Sequence, residues 1–256
     1  MIRSWTALTT SLDQRAREAE LMDDPESDED ALRRTLRQFS TINRLLTGMR
    51  RILRREVLQR MKTLVASGVV SRNHQFTVLD AGAGGCDIPR WLIDEATRWG
   101  MRIRVFAVDA DARVVAYARH TADRYINAGT LDVIHGSAID VPPGPVDFVI
   151  ANHFLHHLTD DEISRFLRSA VQRCRYGVII NDLARSRNSL IGYWLLTLVT
   201  FRNSFARYDG MLSIMKGFGP GELTTFAAAH VSPGEGTFQV TRAFPGRLVL
   251  TISPSR

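Results

Sequence analysis

Thr77-Val78-Leu79-Asp80-Ala81-Gly82-Ala83-Gly84-Gly85-Cys86-Asp87 is the stretch on which the fold is decided. It opens as a short buried strand, turns on closely spaced glycines and runs into an amphipathic helix expected near 88–99. Glycine serves where backbone must turn sharply and approach a ligand with no Cβ in the way. In open α/β sheets, ligands bind at this end of the strands. Taken alone, such a loop can also be an ordinary tight turn. A dinucleotide fingerprint anchored on Gly82 and Gly84 would require glycine at 87, where Asp87 stands. A carboxylate there repels a pyrophosphate but tolerates a ligand end that carries an ammonium group.

The next strand, Val105-Phe106-Ala107-Val108-Asp109, ends on a carboxylate placed to accept hydrogen bonds from both hydroxyls of a ribose. Asp109 could instead cap the following helix, although Asp111 is better placed for that. Short β-branched runs alternate with amphipathic segments from Phe76 onward, the signature of βαβ units and a parallel sheet. Strands are expected at 76–81, 103–108, 131–135, 146–151 and 177–182, with helices near 88–99, 112–127, 160–173 and 220–229. Two final strands, 237–243 and 247–252, flank Phe244-Pro245-Gly246. Three connecting residues allow a hairpin and exclude a parallel crossover, so one terminal strand runs antiparallel.

The 256 residues, 45% of them apolar, suit one α/β domain with an added helical segment. We expect a helical extension over 1–72 and the main domain over 73–256, with an insertion at about 184–219. Residues 1–28 are polar and read as loosely ordered around a short helix. A long helix follows from Asp28-Glu29-Asp30, with Phe39, Ile42, Leu45, Leu46, Met49, Ile52 and Leu53 at helical spacing and Gly48 as a point of bending or division. Arg33, Arg34, Arg37, Arg44, Arg50, Arg51, Arg54, Arg55, Arg60 and Lys62 crowd this stretch and carry much of the net charge of +6. Such a basic face invites a nucleic-acid reading. Against it, aromatic stacking residues are not interleaved with the arginines.

Cys86 and Cys174 form no C-x-x-C pair, which favours a reducing cytoplasm. The N-terminus, beginning Met1-Ile2-Arg3, lacks the apolar run of a secretory leader. The longest apolar stretch, Leu190 to Phe201, is interrupted by Gly192 and Thr197 and falls short of the roughly 20 residues of a bilayer span. It suits peripheral contact with a membrane, a buried packing helix, or a lid over a lipophilic pocket.

These residues resemble the class I S-adenosylmethionine-dependent methyltransferases, over about residues 74–253. The resemblance implies a Rossmann-like α/β fold, a seven-stranded sheet of order 3-2-1-4-5-7-6 with one antiparallel strand. Its cofactor would be S-adenosyl-L-methionine, the product S-adenosyl-L-homocysteine, with no metal. Asp80, Gly82 and Gly84 carry over as the methionine-side loop, with Asp87 near the ammonium group, and Asp109 with Ala110 on the ribose side. A third glycine is usual where Cys86 stands, and Gly85 is expected to supply that flexibility. The family's G-D-A motif reads Gly136-Ser137-Ala138-Ile139-Asp140, so the adenine contact falls to Ser137, the Ala138 backbone or Asp140; for Asp140 a surface turn is the alternative.

Asp147-Phe148-Val149-Ile150-Ala151-Asn152-His153-Phe154-Leu155-His156-His157-Leu158 resembles the family's fourth motif, where donor and acceptor meet, with Asn152 on the cofactor side. A histidine is a suitable base for a phenol. His153, His156 and His157 are therefore the candidate catalytic residues, the alternative being that they pack beneath the cofactor. Asp182 would orient a histidine or the acceptor, or cap a turn.

Tyr208-Asp209-Gly210, Ser213 to Phe218 and Glu222-Leu223 resemble methyltransferases of quinone and polyketide-derived aromatic pathways, a setting of secondary metabolism. The expected partner is a lipophilic small molecule, O-methylated on a phenol or quinone-type ring, without nucleic acid. The alternatives are C-methylation of a prenylated quinol or lipid, an RNA methyltransferase using the arginine-rich helix, and a non-catalytic S-adenosylmethionine-binding protein.

Overall fold

The computed structural model describes residues 12–139, 144–199, 204–232 and 234–255. Its central sheet has the order β3-β2-β1-β4-β5-β7-β6. The strands are β1 (Gln75–Ala81), β2 (Arg102–Asp109), β3 (Leu131–His135), β4 (Val146–Asn152), β5 (Cys174–Leu183), β6 (Gly236–Ala243) and β7 (Arg247–Pro254). The strands from β3 to β5 pair in parallel, whereas β7 runs antiparallel to both β5 and β6. The short Phe244-Pro245-Gly246 connection therefore makes a hairpin, as its length requires.

Alternation along the strands builds two cores. Phe76, Val78, Phe148, Ile150 and Ile179 face Leu53, Leu58, Met61 and Leu92, while Leu79, Val149, Val178 and Ile180 face Phe166, Leu167, Leu223 and Ala227. Every residue of β4 is buried, the expected state of a central parallel strand covered on both faces.

In chain order the helices are α1 (Glu29–Leu45), α2 (Met49–Leu53), α3 (Gln59–Ala66), α4 (Asp87–Arg98), α5 (Ala112–Thr121), α6 (Asp123–Asn127), α7 (Asp160–Arg173), α8 (Arg187–Val199), α9 (Ala206–Lys216) and α10 (Pro220–His230). Asp28 caps α1 through the Ala31 amide, and Thr159 with Glu162 forms a capping box on α7. Gly48 divides the long N-terminal helix by entering the left-handed region at φ +67°. Between α2 and α3 the turns widen over Arg54–Leu58 into π geometry.

Four sequence readings need correction. The segment 112–127 is two helices, broken at Ala122. Strand β5 starts at Cys174 rather than 177, with a register shift opposite Val146/Phe148. Helix α9 was not foreseen. Residues 12–28 are tied down rather than loose: Asp209 accepts hydrogen bonds from the Leu21 and Met22 amides at 2.8 and 3.0 Å, and Arg15 pairs with Asp160 at 2.9 Å. The short helix expected there is a single 3-10 turn, Leu21–Asp23. Among the described residues no helix is long and apolar enough to cross a membrane.

Phe148 is fully buried between Phe76 and Tyr176, with ring centroids 6.4 and 6.0 Å away. Phe148→Ala should cost about 3–5 kcal/mol of stability, because the sheet cannot collapse around the hole. Urea unfolding followed by circular dichroism measures this.

Candidate active site

Helix α4 leaves β1 toward one face of the sheet, and the chain after β4 leaves toward the other. The strand order reverses between β1 and β4, and a crevice opens at their carboxyl ends. A cavity of about 1470 Å³ occupies it, lined by the glycine loop, the histidine segment, the N-terminal segment, α1 and α8.

On one side lies the glycine loop. Gly82 sits at φ +67°, where a Cβ would stand 2.4 Å from the Phe154 ring. The Gly82 and Ala83 amides both donate to the Val108 carbonyl at 3.0 Å, which ties the loop to β2. Asp109 accepts from the Gly84 amide at 2.8 Å and from the Asp111 amide at 3.1 Å, so its carboxylate joins both loops. Asp111 is the cap of α5, through the Arg113 amide. The left-handed residue ahead of α4 is Cys86 itself, at φ 58°, and Gly85 has no positive φ. The flexibility expected of Gly85 is thus not what the loop uses; a buried cysteine takes the conformation glycine would adopt more cheaply.

Asp80, Asp87 and Asp109 crowd this end. Burial, with Asp87 and Asp109 nearby, pushes the Asp80 carboxyl well above the carboxylate range. Burial also pushes Asp87 up to about 6, although Asn43 and two arginines oppose it. Asp87 Oδ2 is buried without a hydrogen-bond partner. A run of amides reaches it from deep in the sheet: Asn181 Nδ2 donates to Asn152 Oδ1 at 2.8 Å, Asn152 Nδ2 to Asn43 Oδ1 at 3.1 Å, and Asn43 Nδ2 to Asp87 Oδ1 at 3.1 Å. Asn43 was missed from the sequence; its one signal was a polar side chain on the apolar face that holds Phe39, Ile42 and Leu46. Ala110, Ser137 and Ala138 line the same cavity, joined by His135, whose Nε2 donates to the Ala110 carbonyl at 3.1 Å. Asp140 lies outside the described residues.

The histidines occupy the other side. His156 is buried; its Nδ1 donates to Asp182 Oδ1 at 2.6 Å and its amide to Asp182 Oδ2 at 3.3 Å. Burial opposes ionisation of Asp182, but the His156 and His153 rings and the Leu183 amide hold its carboxyl below the usual range. His157 Nδ1 donates to Asp23 at 3.2 Å; burial opposes its protonation, and Glu20 with Asp23 outweighs that and raises its pKa. His153 sits at φ 58° with its Nε2 buried and unpartnered, and burial with the nearby Arg247 charge drives its pKa well below 6.5.

Glu20, also missed, comes from the segment read as loose. It is only 2% exposed and lies 3.8 Å from His156 Nε2, 3.9 Å from His157 Nδ1 and 3.3 Å from Lys216 Nζ. Glu20, His156 and His157 present possible metal-ligating atoms within 4.8 Å of one another, and the Lys216 ammonium is the cation beside them here. No spacing rule could have joined residue 20 to residue 156.

A model of the methyltransferase-domain family matches residues 78–177. No curated protein matches the chain in sequence. In fold the chain is similar to the plantazolicin methyltransferase BpumL in complex with SAH, with a TM-score of 0.60, 11% identity, and 92% of this chain and 95% of that one covered. It is also similar to a SAM-dependent methyltransferase from Aquifex aeolicus, with a TM-score of 0.51, 16% identity and coverage of 79% and 93%. The CMeT domain of the citrinin polyketide synthase gives a TM-score of 0.53 at 11% identity, over 78% of this chain and 52% of that one. Residues 78–177 thus match a methyltransferase domain, and they are seated on a sheet of order 3-2-1-4-5-7-6.

Proposed function

We propose that the chain O-methylates a lipophilic phenolic or quinone-type small molecule, with His156 as the base and Asp182 as the residue that orients it. The observation that carries this reading is the buried Asp182–His156 pair opening on an apolar cavity. Leu36, Phe39, Ile42 and Leu46 from the N-terminal helices and Leu183, Tyr193, Leu196 and Ile214 from the insertion side line that cavity. In this reading residues 1–72 and the insertion at about 184–219 enclose the acceptor. Of these segments, residues 1–11 and 200–203 and the side chains of Leu45, Leu198 and Val199 lie outside the described residues.

The cofactor fits the residues present. The unpartnered Asp87 Oδ2 suits its ammonium group, and Asp109 has lone pairs left for ribose hydroxyls. Ala110, Ser137 and Ala138 would flank the adenine, with Asn152 bracing the loop through Asn43. When bound, S-adenosylmethionine supplies an electrophilic methyl group on a sulfonium. The protein's share is to align the acceptor, exclude water and take one proton.

The three histidines divide by environment. His153 is too weak a base, and His157 is held toward its protonated form by Glu20 and Asp23. His156 has its Nδ1–H fixed on Asp182, which leaves Nε2, 3.8 Å from Glu20 Oε1, as the nitrogen that would take the acceptor's proton. As the acceptor oxygen gains the methyl group, its proton passes to Nε2, and the imidazolium is stabilised by Asp182.

The arginine-rich stretch favours a small molecule over RNA. Arg54 pairs with Glu95 at 2.8 Å and lies over Trp91, Arg50 shares that ring, and Arg60 bonds Ser253. The Arg54 and Arg60 guanidinium groups have polar partners within the protein. Exposed Ile191 and Leu195 on α8 support peripheral contact with a membrane.

The test is transfer of labelled methyl from S-adenosylmethionine to a panel of alkylphenols and quinols, beside total RNA, with product structure separating O- from C-methylation. Label in RNA, or cofactor binding with no transfer to any lipophilic acceptor, would overturn the proposal. His156→Gln and Asp182→Asn should each lower kcat by about 100-fold or more while leaving S-adenosylhomocysteine affinity unchanged. Binding should also depend on pH. The cofactor's ammonium prefers ionised Asp87, so affinity should fall about tenfold between pH 7 and 5 as that carboxylate protonates, and Asp87→Asn should flatten the profile. Calorimetry across that range measures it.

A further inference from the structure

The carboxylates around the acceptor side of the cavity have partners: Asp182 has His156, Asp23 has His157, Glu20 has Lys216, and Asp209 has the Leu21 and Met22 amides. One guanidinium is left short of hydrogen-bond acceptors. Among the described residues lining the cavity there are two arginines, Arg113 and Arg247. Arg113 is bound on both sides, by Asp111 at 2.7 Å and by the Pro25 carbonyl and Ser27 hydroxyl at 3.0 and 2.9 Å. Arg247 is 4% exposed, and its Nε and Nη1 are buried with no hydrogen-bond partner.

Arg247 opens β7, in register with Leu183 at the end of β5 and Ala243 at the end of β6, so the hairpin holds its backbone at the carboxyl edge of β5. Asp182 is near enough to act on it through space, but both Asp182 oxygens are occupied by His156 and Leu183. Burial lowers the guanidinium to about 10, which leaves it charged at neutral pH. Buried guanidinium N–H groups without acceptors are costly, and the guanidinium fork matches a carboxylate or another anionic oxygen. His153 adds a second unpartnered nitrogen, its Nε2, kept neutral by burial and by the Arg247 charge itself. A neutral imidazole contributes a hydrogen bond to an anion without competing for charge.

We propose that Arg247, with His153, is the anion-recognition point of the acceptor cavity, and that the acceptor carries an anionic oxygen group, a carboxylate or an ionised acidic phenol. This rests on the lipophilic-acceptor reading and narrows it to amphiphilic acids. It also gives Arg247 and His153 a binding role separate from the proton transfer assigned to His156.

The test is calorimetric binding at pH 7.5, with S-adenosylhomocysteine present, to wild type, Arg247→Met and Arg247→Lys. The probes are dodecanoate against 1-dodecanol, benzoate against benzamide, and 4-nonyl-2-nitrophenol, whose absorbance reports whether it is bound as phenolate. In wild type an anion should bind about tenfold or more tightly than its neutral counterpart, the worth of a charge-assisted hydrogen bond. Arg247→Met should lose that preference and Arg247→Lys keep part of it. The carboxylates and the nitrophenol show which oxygen group is read. Neutral probes binding as tightly as anions, an undiminished preference in Arg247→Met, or no binding of any probe overturns the proposal. Tight dodecanol binding without anion preference spares the lipophilic reading and rejects this one; preference for benzoate without gain from an alkyl chain does the reverse. Arg247→Met is expected to melt no lower than wild type without ligand, since it removes two buried donors that lack acceptors.

Discussion

The reversal of strand order between β1 and β4 is the constraint on which everything else rests. Two central strands send their continuing chains to opposite sides of the sheet, so these connections alone leave the carboxyl ends partly open. The exposed ends must be closed by something else. The glycine loop closes one part by bonding to β2 through the Val108 carbonyl and Asp109. The N-terminal segment and the insertion after β5 close the rest. The site is thus assembled from chain segments that have no local reason to meet.

That division explains how much could be read in advance. The strand, glycine turn and helix, the carboxylate ending β2 and the antiparallel hairpin are all written in short-range pattern, and their boundaries fall within a few residues of those expected. Glu20 could not be read because a polar stretch rich in Asp and Glu looks solvated. Its burial depends on Asp209, 188 residues beyond Leu21, capturing two backbone amides. Asn43 was hidden within a good amphipathic helix, and nothing in the strand pattern at 247–252 marks Arg247. Each is a polar residue whose partner, or lack of one, is fixed only by tertiary packing. Cys86 shows the converse: the residue type argued against a left-handed turn, and the loop imposed one.

Electrostatics sort the cavity into two halves. The glycine-loop end gathers Asp80, Asp87 and Asp109, so burial raises all three carboxyls and a positively charged ligand relieves them. The histidine end pairs its carboxylates with imidazoles and Lys216 and leaves two Arg247 donors without acceptors. The two ends of one cavity therefore differ in kind: one is rich in buried acceptors, and the other keeps buried donors unpartnered.

The two cysteines carry a separate consequence. Cys86 lies buried beneath the glycine loop, at the carboxyl end of β1; Cys174 lies buried at the start of β5, its Sγ accepting from the Gly177 amide at 3.1 Å. Neither thiol meets solvent in the closed fold. Alkylation of each, followed separately by mass, would count openings at opposite ends of the strands, so this chain carries two built-in clocks for local unfolding, one of them set within the cofactor loop.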